Sequence, residues 1–367
     1  MHLETELKPH PLALICELTY KCPLKCVYCS NPISLKSQDG GELLFSEWIR
    51  IFREAKELGV KHVHLTGGEP LVRTDLQLLV QYAHSVGLYT NLITSGIGLN
   101  QTKLKALVQG GLDHIQLSFQ DSNELGGQLI SGVKSHSVKM TVAKMIRAEN
   151  IAFTLNLVVH RHNLSRLAEM IEMAYHLGAH KLEVAHVQYY GWAFENRVNL
   201  TPTPEEVDQS LVIIRKYQKK FMGLMRIDAV TPNYSEKYPK ACMGGWAQKI
   251  ILINPYGLAL PCHSALILPN IVAPDVRQGD LNWIWNQSSL FQKFRGEDWM
   301  SDPCRFCERR KIDFGGCRCQ SFILTQDPAR TDPVCNLSSD NYKIRELLSS
   351  ESRGDRKFVY RRVPKMG

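Results

Sequence analysis

The sequence predicts an α/β fold: a partial barrel of six parallel β-α units, followed by a smaller cysteine-rich module. Three observations predict it. Short apolar runs alternate with longer segments of helical periodicity. Several helices stop at a glycine directly before the next apolar run, as in Glu57-Leu58-Gly59, Ser85-Val86-Gly87, Gln109-Gly110-Gly111 and His176-Leu177-Gly178. Cysteines occupy positions 16 to 29, vanish until 242 and then recur through 335.

Glycine past a helix end supplies a left-handed cap, and the apolar run after it starts a strand. On this basis strands are expected near Ala13 to Thr19, Val60 to Thr66, Leu88 to Thr94, His114 to Phe119, Ile151 to Val158 and Lys181 to Gln188. Helices fill the gaps. In the first, Ser46 to Leu58, Ser46 is placed to cap the opening turn, while Ile49, Phe52, Ala55 and Leu58 recur at helical spacing and form the buried face. Ligands gather at the carboxyl edge of such sheets. Strand-end residues Ser95, Ser118, Gln120, Asn156 and Gln188 are therefore candidate cofactor contacts, and Tyr189, Tyr190 and Trp192 candidate channel residues. Cys16 reads as core.

With 367 residues, 44% of them hydrophobic, the chain is long enough for one large domain and a smaller one. The division expected is 1–230 as the core domain, 231–349 as the cysteine-rich domain and 350–367 as a flexible basic tail. The net charge is +8, but residues 353–367 carry six Lys and Arg against Asp355, which leaves only +3 for the rest. That balance argues against a nucleic-acid surface. The opening residues lack a signal-peptide pattern and no long uncharged run is present, so a cytoplasmic protein without membrane contact is expected. Eleven cysteines in a reducing compartment point to metal ligation rather than disulfides.

Cys22, Cys26 and Cys29 are spaced C-x3-C-x2-C. Three thiolates on a four-iron cluster leave one iron open to a small molecule. Zinc is the alternative, but it favours four closed ligands, and no fourth Cys or His lies close in sequence. Tyr28, before the third cysteine, is placed to lie against a purine. The segment Cys22-Pro23-Leu24-Lys25-Cys26-Val27-Tyr28-Cys29, followed by Gly67-Gly68-Glu69-Pro70 after the second strand, resembles the radical S-adenosylmethionine (radical SAM) enzymes. The resemblance implies that Cys22, Cys26 and Cys29 hold a [4Fe-4S] cluster. It further implies that Tyr28, Gly67, Gly68 and Glu69 contact S-adenosylmethionine, with Ser118, Asn156 and Gln188 less specifically.

The second module carries Cys242, Cys262, Cys304, Cys307, Asp313, Cys317, Cys319 and Cys335. Seven thiolates and one carboxylate suffice for two closed clusters; a four-thiolate zinc ribbon on Cys304, Cys307, Cys317 and Cys319 is the alternative. The spacing is similar to the SPASM extension of radical SAM proteins. Asp313, where that pattern expects cysteine, resembles one branch, the PqqA peptide cyclases of pyrroloquinoline quinone biosynthesis. So do Gln116 to Asp121, Val187 to Trp192 and Ala241 to Trp246. His186 departs from that branch, where asparagine is expected.

The resemblance implies one auxiliary cluster on Cys304, Cys307, Asp313 and Cys335, and another on Cys242, Cys262, Cys317 and Cys319, each [4Fe-4S] or [2Fe-2S]. It implies that a radical derived from the cofactor takes hydrogen from a glutamate side chain of the precursor peptide PqqA, and that this carbon joins a tyrosine ring. Cys22, Cys26, Cys29 and Asp313 are the expected catalytic set. A peptide chaperone, PqqD, and an external electron donor are the expected partners. Other SPASM enzymes, which form thioethers or oxidise Ser or Cys, would share these ligands, and a zinc-bearing interaction protein is a non-enzymatic alternative.

Overall fold

The computed structural model describes residues 9–33, 41–349, 354 and 356–362. Its centre is a nine-stranded sheet. In chain order the strands are β1 (Ala13–Glu17), β2 (His62–Thr66), β3 (Tyr89–Thr94), β4 (His114–Phe119), β5 (Ala152–Val159), β6 (Lys181–His186), β7 (Arg226–Val230), β8 (Ile250–Ile253) and β9 (Ala259–Leu260). Their spatial order is β7-β6-β5-β4-β3-β2-β1-β8-β9. Among these strand pairings, only β8/β9 is antiparallel. The first six match the expected strands, and the glycines at 59, 87, 111 and 178 all have positive φ.

Three strands extend the expected six. β7 reads Arg-Ile-Asp-Ala-Val and is largely exposed, so it lacks the apolar run that marks the others. The β8–β9 hairpin arises in the cysteine-rich segment yet pairs in parallel with β1, Ala13 opposite Ile250 through Cys16 opposite Ile253. The sheet thus runs across the expected division at residue 230.

The first helix, α1 (Phe45–Glu57), differs from expectation in its start and its face. Ser46 is exposed and inside the helix; the first turn is instead held by Glu47 Oε2, which accepts from the Leu44 amide at 2.7 Å. The buried stripe is Trp48, Ile51, Phe52 and Ala55. Trp48 decides the rotation, because fully burying a large apolar side chain is worth roughly 1.5–3 kcal/mol. Cys16 is fully buried, as read.

The C-terminal stretch is not free where it is described. Asn199 Oδ1 accepts from the Arg356 amide at 2.8 Å, and Asn196 Oδ1 accepts from the Val359 amide at 2.8 Å while its Nδ2 donates to the Val359 carbonyl at 2.8 Å. The Tyr360 hydroxyl donates to the Leu129 carbonyl at 2.8 Å. These bonds lay residues 356–362 along the edge where the parallel strands end.

Candidate active site

Cys22, Cys26 and Cys29 sit on the loop after β1, and neighbouring loops tie that loop down through its backbone. The Gly68 amide donates to the Thr19 carbonyl at 2.6 Å and the Glu69 amide to the Lys21 carbonyl at 2.8 Å. No side chain fits there: a Cβ on Gly67 would lie 2.3 Å from the Thr19 oxygen, and one on Gly68 2.3 Å from that of Lys21. From the end of β6, the Trp192 amide donates to the Cys29 carbonyl at 3.0 Å and Asn196 Nδ2 to the Val27 carbonyl at 2.9 Å.

The three cysteines open on a cavity of about 320 Å³, lined also by Tyr28, Gly67, Gly68, Ser95, Ser118, Gln120, Asn156, His186, Gln188 and Arg361. Ser118 and Asn156 are register partners on β4 and β5, so they enter it side by side. The Tyr28 hydroxyl accepts from Gln120 Nε2 at 3.1 Å. Glu69 alone among the expected cofactor residues stands behind the wall. It is fully buried and accepts from Thr94 Oγ1 at 2.6 Å, the Ser95 amide at 2.8 Å, Ser95 Oγ at 2.5 Å and the Leu71 amide at 3.1 Å. Its carboxylate therefore fixes the end of β3 relative to the glycine turn. His186, the departure noted above, has both ring nitrogens engaged, by Ser210 Oγ at 2.9 Å and the Val230 carbonyl at 3.3 Å.

Three half-buried thiols facing one cavity fit a thiolate-bound metal group. Burial pushes Cys22 up to about 11 and Cys26 up to about 12, and raises Cys29. A metal is what makes such thiols ionise, with release of protons.

The second module collects its candidate ligands into two groups. Cys304, Cys307, Asp313 and Cys335 line one small cavity. Asp313 is 7% exposed, and its Oδ1 accepts from the Gly315 amide at 3.0 Å, which orients the carboxylate. In the other group the sulfurs of Cys262 and Cys319 are 3.8 Å apart. Hydrogen bonds from Cys242 and Cys319 hold Cys317 well below the usual thiol range. Among the described residues no three His, Cys, Asp or Glu side chains converge tightly enough for a single ion.

A second cavity, of about 490 Å³, lies between the cysteine sites. Ser30 lines both it and the first cavity. Tyr20, Tyr190, Phe194, Tyr256, Leu266, Ile267 and Ile323 give it a mainly apolar wall. Of the three aromatic residues expected in a channel, Tyr190 alone lines it. Trp192 is buried in packing and Tyr189 stacks on Tyr234 with ring centroids 5.3 Å apart.

Comparison with known proteins agrees with this geometry. The radical SAM superfamily model matches residues 16–174, and a SPASM iron-sulfur cluster-binding domain model matches residues 242–308. A PqqA peptide cyclase of Gluconobacter oxydans is 46% identical over 353 residues, which covers 96% of this chain and 98% of the relative. This chain belongs to the PqqA peptide cyclase family. A PqqA peptide cyclase of Rhizobium meliloti is 48% identical, covering 89% and 87%. Among solved structures, Streptococcus suis SuiB bound to S-adenosylmethionine aligns with a TM-score of 0.75 at 19% identity, over 90% of this chain and 78% of SuiB. That likeness shows a shared fold.

For a PqqA peptide cyclase family member, two site residues had no signal in the motifs. Lys139 is buried and reaches Gln120 Oε1 at 2.5 Å and the Ser118 carbonyl at 2.9 Å; burial lowers it to about 8. Asp332, fully buried, accepts from the Cys317 amide at 2.7 Å and from Gln320 Nε2 at 2.8 Å, while its carbonyl accepts from the Cys335 amide at 2.9 Å. It thereby joins the two auxiliary ligand groups. Either residue could be found only by knowing which elements meet.

Proposed function

We propose that this chain forms a carbon–carbon bond between Glu and Tyr side chains of PqqA, in a cytoplasmic step of pyrroloquinoline quinone biosynthesis. In this reading residues 1–230 hold the first cluster and S-adenosylmethionine, and residues 231–349 hold two auxiliary clusters with the ligand groups described above. Bound there, cluster and cofactor supply a 5'-deoxyadenosyl radical after one-electron reduction by an external donor.

The chain's own residues arrange the encounter. Cys22, Cys26 and Cys29 supply three ligands and leave a fourth position for the cofactor. Gly67 and Gly68 let bare backbone approach its methionyl end, and Tyr28, Ser118, Asn156 and Gln188 surround the remainder. The apolar wall around Tyr190 accepts the peptide and keeps water from it. The single observation that supports this order is contiguity: Ser30 borders both cavities, and the hydroxyl of Tyr190, another residue of the second cavity's wall, lies 3.1 Å from Cys317 Sγ. A peptide in the second cavity would lie between the radical source and an electron exit. SuiB, of the same fold, has also been solved bound to its precursor peptide. PqqD would deliver PqqA. Among the described residues no helix is long and apolar enough to cross a membrane.

Anaerobic incubation with PqqA, PqqD, a reductant and S-adenosylmethionine tests the reading by mass spectrometry. A product lighter by two hydrogens, with fragments linking Glu to Tyr, is expected. Deoxyadenosine released beside unchanged peptide, or a thioether or an oxidised Ser or Cys in its place, would overturn it.

A further inference from the structure

Arg361 is the cation in the wall of the first cavity whose donors are not used up. It is 2% exposed. Its amide donates to the Lys25 carbonyl at 3.2 Å and its Nη2 to the Tyr20 carbonyl at 2.5 Å, so it straddles the loop that carries Cys22. Its Nε and Nη1 are buried and have no hydrogen-bond partner among the described residues. Lys139, the other buried cation nearby, has Gln120 and Ser118 as partners. Buried guanidinium donors left unpaired are costly, which points to an anion that completes them. Arg361 lines the same cavity as Cys22, Cys26 and Cys29.

We propose that Arg361, carried in by the C-terminal segment, is the counter-charge and hydrogen-bond donor to the thiolate-ligated cluster on Cys22, Cys26 and Cys29. The proposal rests on the reading of that loop as a cluster site. Reduction adds one negative charge to a group already ligated by three thiolates. A buried cation with free N–H groups stabilises the reduced form and raises the potential at which it is reached. Asn196 holds the device in place, since it bonds both the cysteine loop at Val27 and the segment at Val359.

The test is an anaerobic redox titration of the iron-loaded full chain, following the paramagnetic signal that S-adenosylmethionine perturbs. Arg361→Gln is expected to shift that midpoint to more negative potential with iron and sulfide per chain unchanged, and Arg361→Lys to shift it less. Cofactor affinity should change less than about twofold. An unmoved midpoint in Arg361→Gln overturns the proposal. Weakened cofactor binding at an unmoved midpoint also overturns it, by assigning the guanidinium to the cofactor carboxylate. If Arg361→Gln holds no iron, Arg361→Lys, which keeps the charge but loses the forked donors, carries the test. A negative shift there supports the proposal and an unmoved midpoint overturns it. Failure of the underlying reading is separate: the parent chain itself would then lack the perturbable signal.

Discussion

The hydroxyl of Tyr190 lies 3.1 Å from the sulfur of Cys317, which joins the wall of the apolar cavity to the auxiliary cysteines. Burial and the surrounding thiols raise the Tyr190 hydroxyl well above its ordinary value, so it keeps its proton and acts as a neutral partner to that sulfur. Tyr190→Phe removes the contact and little volume. A hydrogen bond to a charged group is worth about 1.5–3 kcal/mol, so we expect cross-linked peptide per deoxyadenosine to fall about tenfold with iron content unchanged. An unaltered ratio, measured by chromatography of both products, would end the proposed role of Tyr190.

As the proposed ligand of an auxiliary cluster, Asp313 offers a harder donor than thiolate and should set that cluster's potential. Asp313→Cys is expected to keep cluster assembly but change turnover, whereas Asp313→Ala should lower iron per chain. Unchanged turnover of the cysteine variant, assayed at matched iron content, would remove the reason for a carboxylate at this place.

The glycine turn makes a sharper demand. In Gly68→Ala the new methyl would meet the Lys21 carbonyl at 2.3 Å, and the atoms in the way are backbone. Overpacking of this kind costs about 1–3 kcal/mol, and relief can come only by moving the cysteine loop. Iron retained at the first site should drop while auxiliary iron-sulfur iron persists. Full iron content with unchanged cofactor affinity would contradict the described packing.

Acid should weaken the fold through its buried histidines. Burial lowers His64 and His114 to about 4 and His160 to about 3, against about 6.5 in the unfolded chain. Between these values the unfolded chain holds more protons. Stability therefore rises with pH through the window and levels off above about 6.5. Tm, followed by circular dichroism, should fall as pH drops from 6.5 towards about 4. His114→Asn, which still reaches towards Thr154, should flatten that slope; an identical slope would acquit His114.

Much of the site could be read from residues whose role is local. Cys22, Cys26 and Cys29, Gly67 and Gly68, and the strand-end pair Ser118 and Asn156 all face one cavity as expected, because β-α order alone carries each of them to the same edge of the sheet. Glu69 belongs to the same motif, but its direction depends on Thr94 and Ser95 of another strand, which no local pattern encodes. Lys139 and Arg361 lay beyond reach for the same reason. Each is an ordinary basic residue until tertiary contacts bury it. The buried face of α1 turns on Trp48, one position from the expected Ile49.

The pairing of β8 with β1 has a practical consequence for anyone hoping to build chimaeras. Deleting the C-terminal module would strip Ala13 to Cys16 of their neighbour and leave a raw hydrogen-bonding edge beside the first cysteine loop, and transplanting it between homologues would set a foreign strand there. Redesign of the catalytic chemistry must therefore exchange the two halves together, or begin by re-engineering that seam.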